Sequence, residues 1–305
     1  MRHDVQPVRP PELRRAWFFI PGADASRHAD ALASGADAIV VDLEEMTAPA
    51  DRPSARVLIV HALREAERRG VVGAVRINKL EHDGHADLQG IMSGAPRVVF
   101  LPHAESAEQL KLLDTALDDL ERVHGIAEGS TEIVPTIESA KGLVVLGALL
   151  ASSPRIRSCM LAVEDLAANL GARRTPGGEE LRYARSRFLI ECIAAGCVPI
   201  DLPCTYRSAD VLAADLQLST QLGFKSKCTV FVEQVDAINR ALTPSDDEAS
   251  AARALIADYE AQLSGGTSGS WIEAPDRNNA MRLLKRHAAM ASFDKLIEST
   301  RADDL

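Results

Sequence analysis

Glu132-Ile133-Val134-Pro135-Thr136-Ile137-Glu138 is a short apolar run that ends on a carboxylate. A run of this kind, rich in β-branched side chains, reads as a strand buried on both faces, as in parallel sheets. Cys159-Met160-Leu161-Ala162-Val163 repeats the pattern and is followed by Glu164-Asp165. In a barrel of alternating strands and helices, the carboxyl ends of neighbouring strands open on one pocket, so Glu138 and Asp165 are expected to meet there. Two bare anions in contact repel and are costly to desolvate, and a hard divalent cation such as Mg²⁺ relieves both problems. The competing reading is that each acid only caps the helix after it, Glu138 preceding Ser139-Ala140-Lys141 and Asp165 preceding Leu166-Ala167.

Outward from these stretches, similar runs recur at Trp17–Ile20, Ala38–Val41, Ala74–Ile77, Val98–Leu101, Val198–Ile200 and Cys228–Val232. Segments with helical spacing lie between them: Ala25–Ser34, Ser54–Arg69, Ala86–Met92, Ala107–Val123, Lys141–Ala151, Leu181–Ala195 and Asp210–Gln221. This alternation predicts an α/β chain folded as a (β/α)₈ TIM barrel, with a doubly wound open sheet as the alternative. The turn into the first helix, Pro21-Gly22-Ala23-Asp24-Ala25-Ser26, lacks the Gly-x-Gly-x-x-Gly of a dinucleotide site. The barrel is expected over 1–243 and a C-terminal helical extension over 244–305. Pro244 starts a helix running to about Leu263, followed by the flexible linker Ser264-Gly265-Gly266-Thr267-Ser268-Gly269-Ser270. Such a linker either lets Trp271–Leu305 pack on a neighbouring subunit or forms a loop before a helix that packs on its own barrel.

The 305 residues suffice for a large barrel, and 44 acids against 34 bases give a formal net charge of −10. That balance argues against non-specific binding to nucleic acid or anionic lipid. No stretch approaches the roughly 18 apolar residues that read as a membrane span, and Met1-Arg2-His3-Asp4 leads into no signal-like segment. The chain is read as cytoplasmic. Five cysteines, Cys159, Cys192, Cys197, Cys204 and Cys228, include no Cys-x-x-Cys pair and read as small buried hydrophobes. His82 and His85 read as loop histidines, and His103 follows a strand without a third ligand at metal-site spacing.

Three further strand ends carry polar residues: Asp42, Glu44 and Glu45 after Ile39-Val40-Val41, Arg76 and Asn78 after Ala74-Val75, and Asp201 after Val198-Pro199-Ile200. A guanidinium such as Arg76 can grip a substrate carboxylate bidentately and stabilise an enolate oxygen; it can equally neutralise the Asp42/Glu44 cluster, and the two roles can coexist. Asp201 is the second candidate contact for substrate.

Seven blocks then fall in one order: Arg15-Ala16-Trp17-Phe18-Phe19-Ile20-Pro21-Gly22, Gly35-Ala36-Asp37-Ala38-Ile39-Val40-Val41-Asp42-Leu43-Glu44, Val75-Arg76-Ile77-Asn78, Ile137-Glu138-Ser139-Ala140-Lys141-Gly142, Glu164-Asp165-Leu166-Ala167, Tyr183-Ala184-Arg185-Ser186 and Leu222-Gly223-Phe224. From about Arg14 to Lys285 the chain resembles the citrate lyase β-subunit-like branch of the HpcH/HpaI aldolase family. The resemblance implies a (β/α)₈ barrel assembled as a homotrimer or hexamer. It implies Mg²⁺ held by Glu138 and Asp165, with Arg76 on the same substrate group and Asp42 and Glu44 orienting Arg76 and metal waters. The implied chemistry is lyase or Claisen-type, passing through an enolate of a coenzyme A or acyl-carrier thioester, with a keto or hydroxy acid as the other fragment. In such relatives a C-terminal segment crosses to a neighbouring subunit and delivers an acidic catalytic residue; the matching block, Gly269-Ser270-Trp271-Ile272-Glu273-Ala274-Pro275, offers Glu273.

The chain also departs from the pattern. Glu273 stands for the usual aspartate, Ala162 for a glycine and Glu44-Glu45 for Glu-Asp, and Phe231-Val232 replaces the His-Pro of an Ile-His-Pro after the last strand. Replacing His-Pro removes a polar group and a rigid turn from the pocket rim. Three functions are therefore weighed: a Mg²⁺-dependent carbon–carbon lyase on a 3-hydroxyacyl thioester such as citryl-, malyl- or citramalyl-CoA, an aldolase of free 2-keto acids without coenzyme A, and a degenerate, non-catalytic family member.

Overall fold

The structure is a computed structural model describing residues 6–265 and 271–303, the side chains of 301–303 excepted. Eight parallel strands, β1 Ala16–Pro21, β2 Ala38–Asp42, β3 Val72–Arg76, β4 Val98–Leu101, β5 Glu132–Ile137, β6 Ser158–Leu161, β7 Val198–Asp201 and β8 Ser226–Thr229, close in chain order into a barrel. The pairing of β1 with both β2 and β8 rules out the open sheet. The crossover helices are α1 Ala25–Ala33, α2 Arg52–Arg68, α3 His85–Ile91, α4 Ala107–His124, α5 Ala140–Val144, α6 Leu146–Leu150, α7 Glu164–Asn169, α8 Arg182–Ala194 and α9 Ala209–Leu222; α10 Val232–Ala241, α11 Asp246–Leu263 and α12 Ala274–Asp303 follow β8.

Every second strand residue points inward. Trp17, Phe19, Val40, Phe100, Val134 and Met160 fill the interior, with Phe100 edge-on to both Trp17 and Phe19 at 5.5 Å. The intervening residues, among them Phe18, Ile39 and Val99, are buried under the helices, so both faces are apolar and the runs show no polar alternation.

Two expected strand ends differ. Val163 already has helical backbone and precedes α7, so β6 stops at Leu161. After β8, the Phe231 N–H bonds Thr229 Oγ1 at 3.1 Å and turns the chain, so Val232 opens α10 instead of closing a strand. The expected helix over Lys141–Ala151 breaks at Val145 into α5 and α6.

Contacts divide the chain into two compact units, Met1–Arg240 and Ala241–Leu305. In the second, α11 starts on a Ser245/Glu248 capping box just after Pro244, and α11 and α12 lie against each other. The Gln262 amide bonds both the N–H and C=O of Ile272, at 3.0 Å each. Gly266–Ser270, most of the expected linker, lies outside the described residues. Among the described residues no helix is long and apolar enough to cross a membrane.

Candidate active site

The carboxyl ends of β2 to β6 each bring a charged side chain to one mouth. Asp42 and Arg76 are the last residues of adjacent strands and lie in register. The fully buried Asp42 carboxylate accepts from Arg76 Nε at 2.8 Å and Nη2 at 2.6 Å. It also accepts from the N–H groups of Glu44 and Met46, both at 2.9 Å, which shapes the turn after β2. Arg76 Nη1 lies 3.0 Å from Glu44 and Nη2 3.2 Å from Glu45, while its guanidinium sits 5.6 Å above the Phe19 ring. Burial works against the Arg76 charge, but Asp42 and then Glu44 and Glu45 hold it protonated.

His103 follows β4 with φ of 49°, a left-handed conformation that costs a residue bearing a Cβ about 1–2 kcal/mol. Its Nδ1 is 2.8 Å from Glu138 Oε2 and its Nε2 is 3.5 Å from Glu44 Oε1. Contact with Glu138 first, and with Glu44 second, pushes the imidazole up to about 10. Glu138, directly after β5, is 2% exposed. Its Oε1 has no hydrogen-bond partner, and the His103 contact to Oε2 is close as an ion pair but not aligned as a hydrogen bond. Asp165, half-buried in the first turn of α7, lies close enough for its charge to raise Glu45, whose carboxyl is pushed up by partial burial and then by Glu44 and Asp165, against Arg76.

Four carboxylates, Asp42, Glu44, Glu45 and Glu138, therefore lie against one guanidinium and one imidazole, and Asp165 adds its charge beside Glu45. Among the described residues no group of three or more His, Cys, Asp or Glu forms a ready-made metal cage. An ion held by Glu138 and Asp165 would complete its shell with water or substrate oxygens, the usual way of holding Mg²⁺. The buried, partnerless Glu138 oxygen and the all-oxygen donor set fit that ion.

Asp201 departs from expectation. Its fully buried carboxylate is bonded by Arg185 Nε at 2.8 Å and also by Nη2, by Ser219 Oγ at 2.7 Å, and by Lys227 Nζ at 3.2 Å. It locks β7 to β8, α8 and α9 and has no surface to offer a substrate. The reason is strand parity: Ile200 points into the barrel, so Asp201 points to the helix layer. Glu273 belongs to the second unit, where it precedes α12, is exposed, and has its N–H capped by Asp276 at 3.2 Å. The replaced rim residue Phe231 carries the Arg207 guanidinium 4.2 Å above its ring. His103 was not expected here, although the strand-end position that drew attention to Glu138 applied to it equally.

Residues 15–230 match the HpcH/HpaI aldolase/citrate lyase family. The chain belongs to this family. It is 30% identical over 284 residues to the citrate lyase subunit beta of Haemophilus influenzae, covering 90% of this chain and 97% of that one. It is 28% identical over 289 residues to the L-malyl-CoA/β-methylmalyl-CoA lyase of Cereibacter sphaeroides, covering 87% and 90%. Among solved structures it resembles the CitE protein of Mycobacterium tuberculosis in complex with magnesium, acetoacetate and coenzyme A, with TM-score 0.70 and 26% identity over 90% of this chain and 98% of that chain. Coverage of 87–90% of this chain exceeds the first unit, so the likeness takes in part of the C-terminal unit as well.

Proposed function

We propose that this chain is a Mg²⁺-dependent carbon–carbon lyase that cleaves a 3-hydroxyacyl thioester of coenzyme A, of citryl, malyl or citramalyl type, into a keto acid and a shorter acyl thioester. The carrying observation is the buried Glu138 with its partnerless oxygen, set beside the Asp42–Arg76–Glu44 cluster. The citrate lyase and malyl-CoA lyase relatives, and the magnesium and coenzyme A bound by the CitE protein, support the same reading.

In the cleavage, the 3-hydroxyl loses its proton, its carbon becomes a carbonyl, and the electrons of the broken C2–C3 bond move onto the thioester fragment as an enolate, which then takes a proton on carbon. Mg²⁺ held by Glu138 and Asp165 would supply a Lewis acid for the oxygens of the keto or hydroxy acid. Arg76, steered by Asp42 and Glu44, faces the same acid group and offsets negative charge on it. Glu273, reaching the mouth of a neighbouring subunit in a homotrimer or hexamer, would be the acid–base group that moves the proton.

Incubating purified protein and Mg²⁺ with citryl-, malyl- and citramalyl-CoA should release a keto acid from at least one. Release from none, with a related lyase active in the same assay, overturns the reading. Phe231 in the rim favours a second reading, an aldolase of free 2-keto acids. Tight binding of coenzyme A by calorimetry excludes that alternative.

A further inference from the structure

The left-handed turn at His103 is a feature of the mouth that the strand pattern does not produce. Phe100 points into the barrel, so an extended chain would send Leu101 and residue 103 outward to the helix layer. Leu101 does point there, lining a small cavity with Leu80 and Leu112. His103 does not. Leu101 is still in register with Pro135, and the Ala104 N–H already bonds Thr136 O at 3.1 Å, so Pro102 and His103 alone make the turn. Proline followed by a positive φ is a turn in which glycine or asparagine is the usual second residue. The turn is also held from its far side: Ser106 and Gln109 form a capping box on α4. A Cβ on Gly142 would come within 2.6 Å of Ala104 O, so that glycine lets α5 close over the turn. The outcome is an imidazole turned back into the mouth, bridging Glu138 and Glu44.

We infer that His103 is a positioning residue: the left-handed turn after β4 carries its imidazole onto Glu138 Oε2, which fixes that carboxylate while leaving Oε1 without a protein partner, and couples it through Glu44 to Arg76. A strained backbone kept at a functional mouth is the kind of outlier from which a role can be argued. The inference rests on the Mg²⁺ reading above.

The test is titration of the purified full chain with Mg²⁺ alone by calorimetry, paired with thermal unfolding. His103→Gly relaxes the backbone, so the unfolding temperature should hold or rise while Mg²⁺ binding weakens by about 10–100-fold, as when other groups orienting a metal ligand are removed. His103→Asn, which tolerates the left-handed region and keeps a donor, should recover part of that affinity. Unchanged or tighter Mg²⁺ binding in the folded glycine variant, or no recovery in the folded asparagine variant, overturns the assignment. Absence of Mg²⁺ binding by the unaltered protein would instead overturn the metal reading itself.

Discussion

Arg76 has five N–H donors; Asp42 and Glu45 take three of them as hydrogen bonds, and Glu44 lies against Nη1 as an ion pair without accepting one. Its two anticipated roles are therefore not equal in the geometry: neutralising the acidic turn is already in place, and the two N–H groups of Nη1 remain for a substrate oxygen. Glu45, exposed and raised in pKa, is the partner whose withdrawal would free a third. Arg76→Lys tests the fork specifically, because it keeps the charge but cannot match both oxygens of Asp42. Urea unfolding should show a loss of about 1.5–3 kcal/mol, the scale of a charged hydrogen bond, and turnover should fall with it; a variant of unchanged stability would show that the paired geometry is unimportant. At this scale the residue types were legible, since strand-end acids and a strand-end arginine are visible in the chain. Their occupancy was not. Nothing in the order of residues says that Asp42 accepts four hydrogen bonds while neither Glu138 oxygen accepts one.

The link between α4 and the start of β5 carries the clearest pH dependence. Glu121 on α4 is fully buried and accepts from Arg155 at 2.8 and 2.7 Å, from the Gly129 N–H at 2.7 Å and from the Thr131 N–H at 2.8 Å. Burial alone would raise its pKa, but Arg155 and these donors outweigh it and bring it from 4.5 down to about 2. A carboxylate lowered in the folded state stabilises fully above its unfolded value and loses that contribution as pH falls toward the folded one. Unfolding free energy should therefore drop by about 3 kcal/mol from this group between roughly pH 4.5 and 2. The Glu121→Gln protein, less stable at pH 7, should show a shallower acid limb in urea titrations; an identical slope would remove Glu121 from the account. Elements were largely legible because strands buried on both faces give unbroken apolar runs. The same property hid α10, since Val230-Phe231-Val232 looks like strand until the Thr229 side chain turns it. It also hid Asp201, because without polar alternation the runs do not say which residues face inward.

For the whole molecule, closure of β1 on β8 turns scattered strand ends into a single rim. The proposed assembly adds Glu273 from a neighbouring subunit. Mixing inert Glu273→Ala protein with inert Glu138→Ala protein should then restore some lyase activity through hybrid sites, read as keto acid release. No recovery after demonstrated subunit exchange would mean that each site is built within one chain. The alternation of strands and helices, and the placing of Glu138 and Asp165 just past two of the strands, were legible in the sequence, because burial on both faces and turn chemistry are local properties of composition and spacing; closure into a barrel in place of an open sheet was decided by the pairing of β1 with β8. Side-chain direction and pairing belonged to the tertiary structure. Whether Asp201 faces Lys227 or a substrate, and whether His103 faces α4 or Glu138, depends on strand register and on one left-handed residue, and these are set by contacts between segments far apart in the chain.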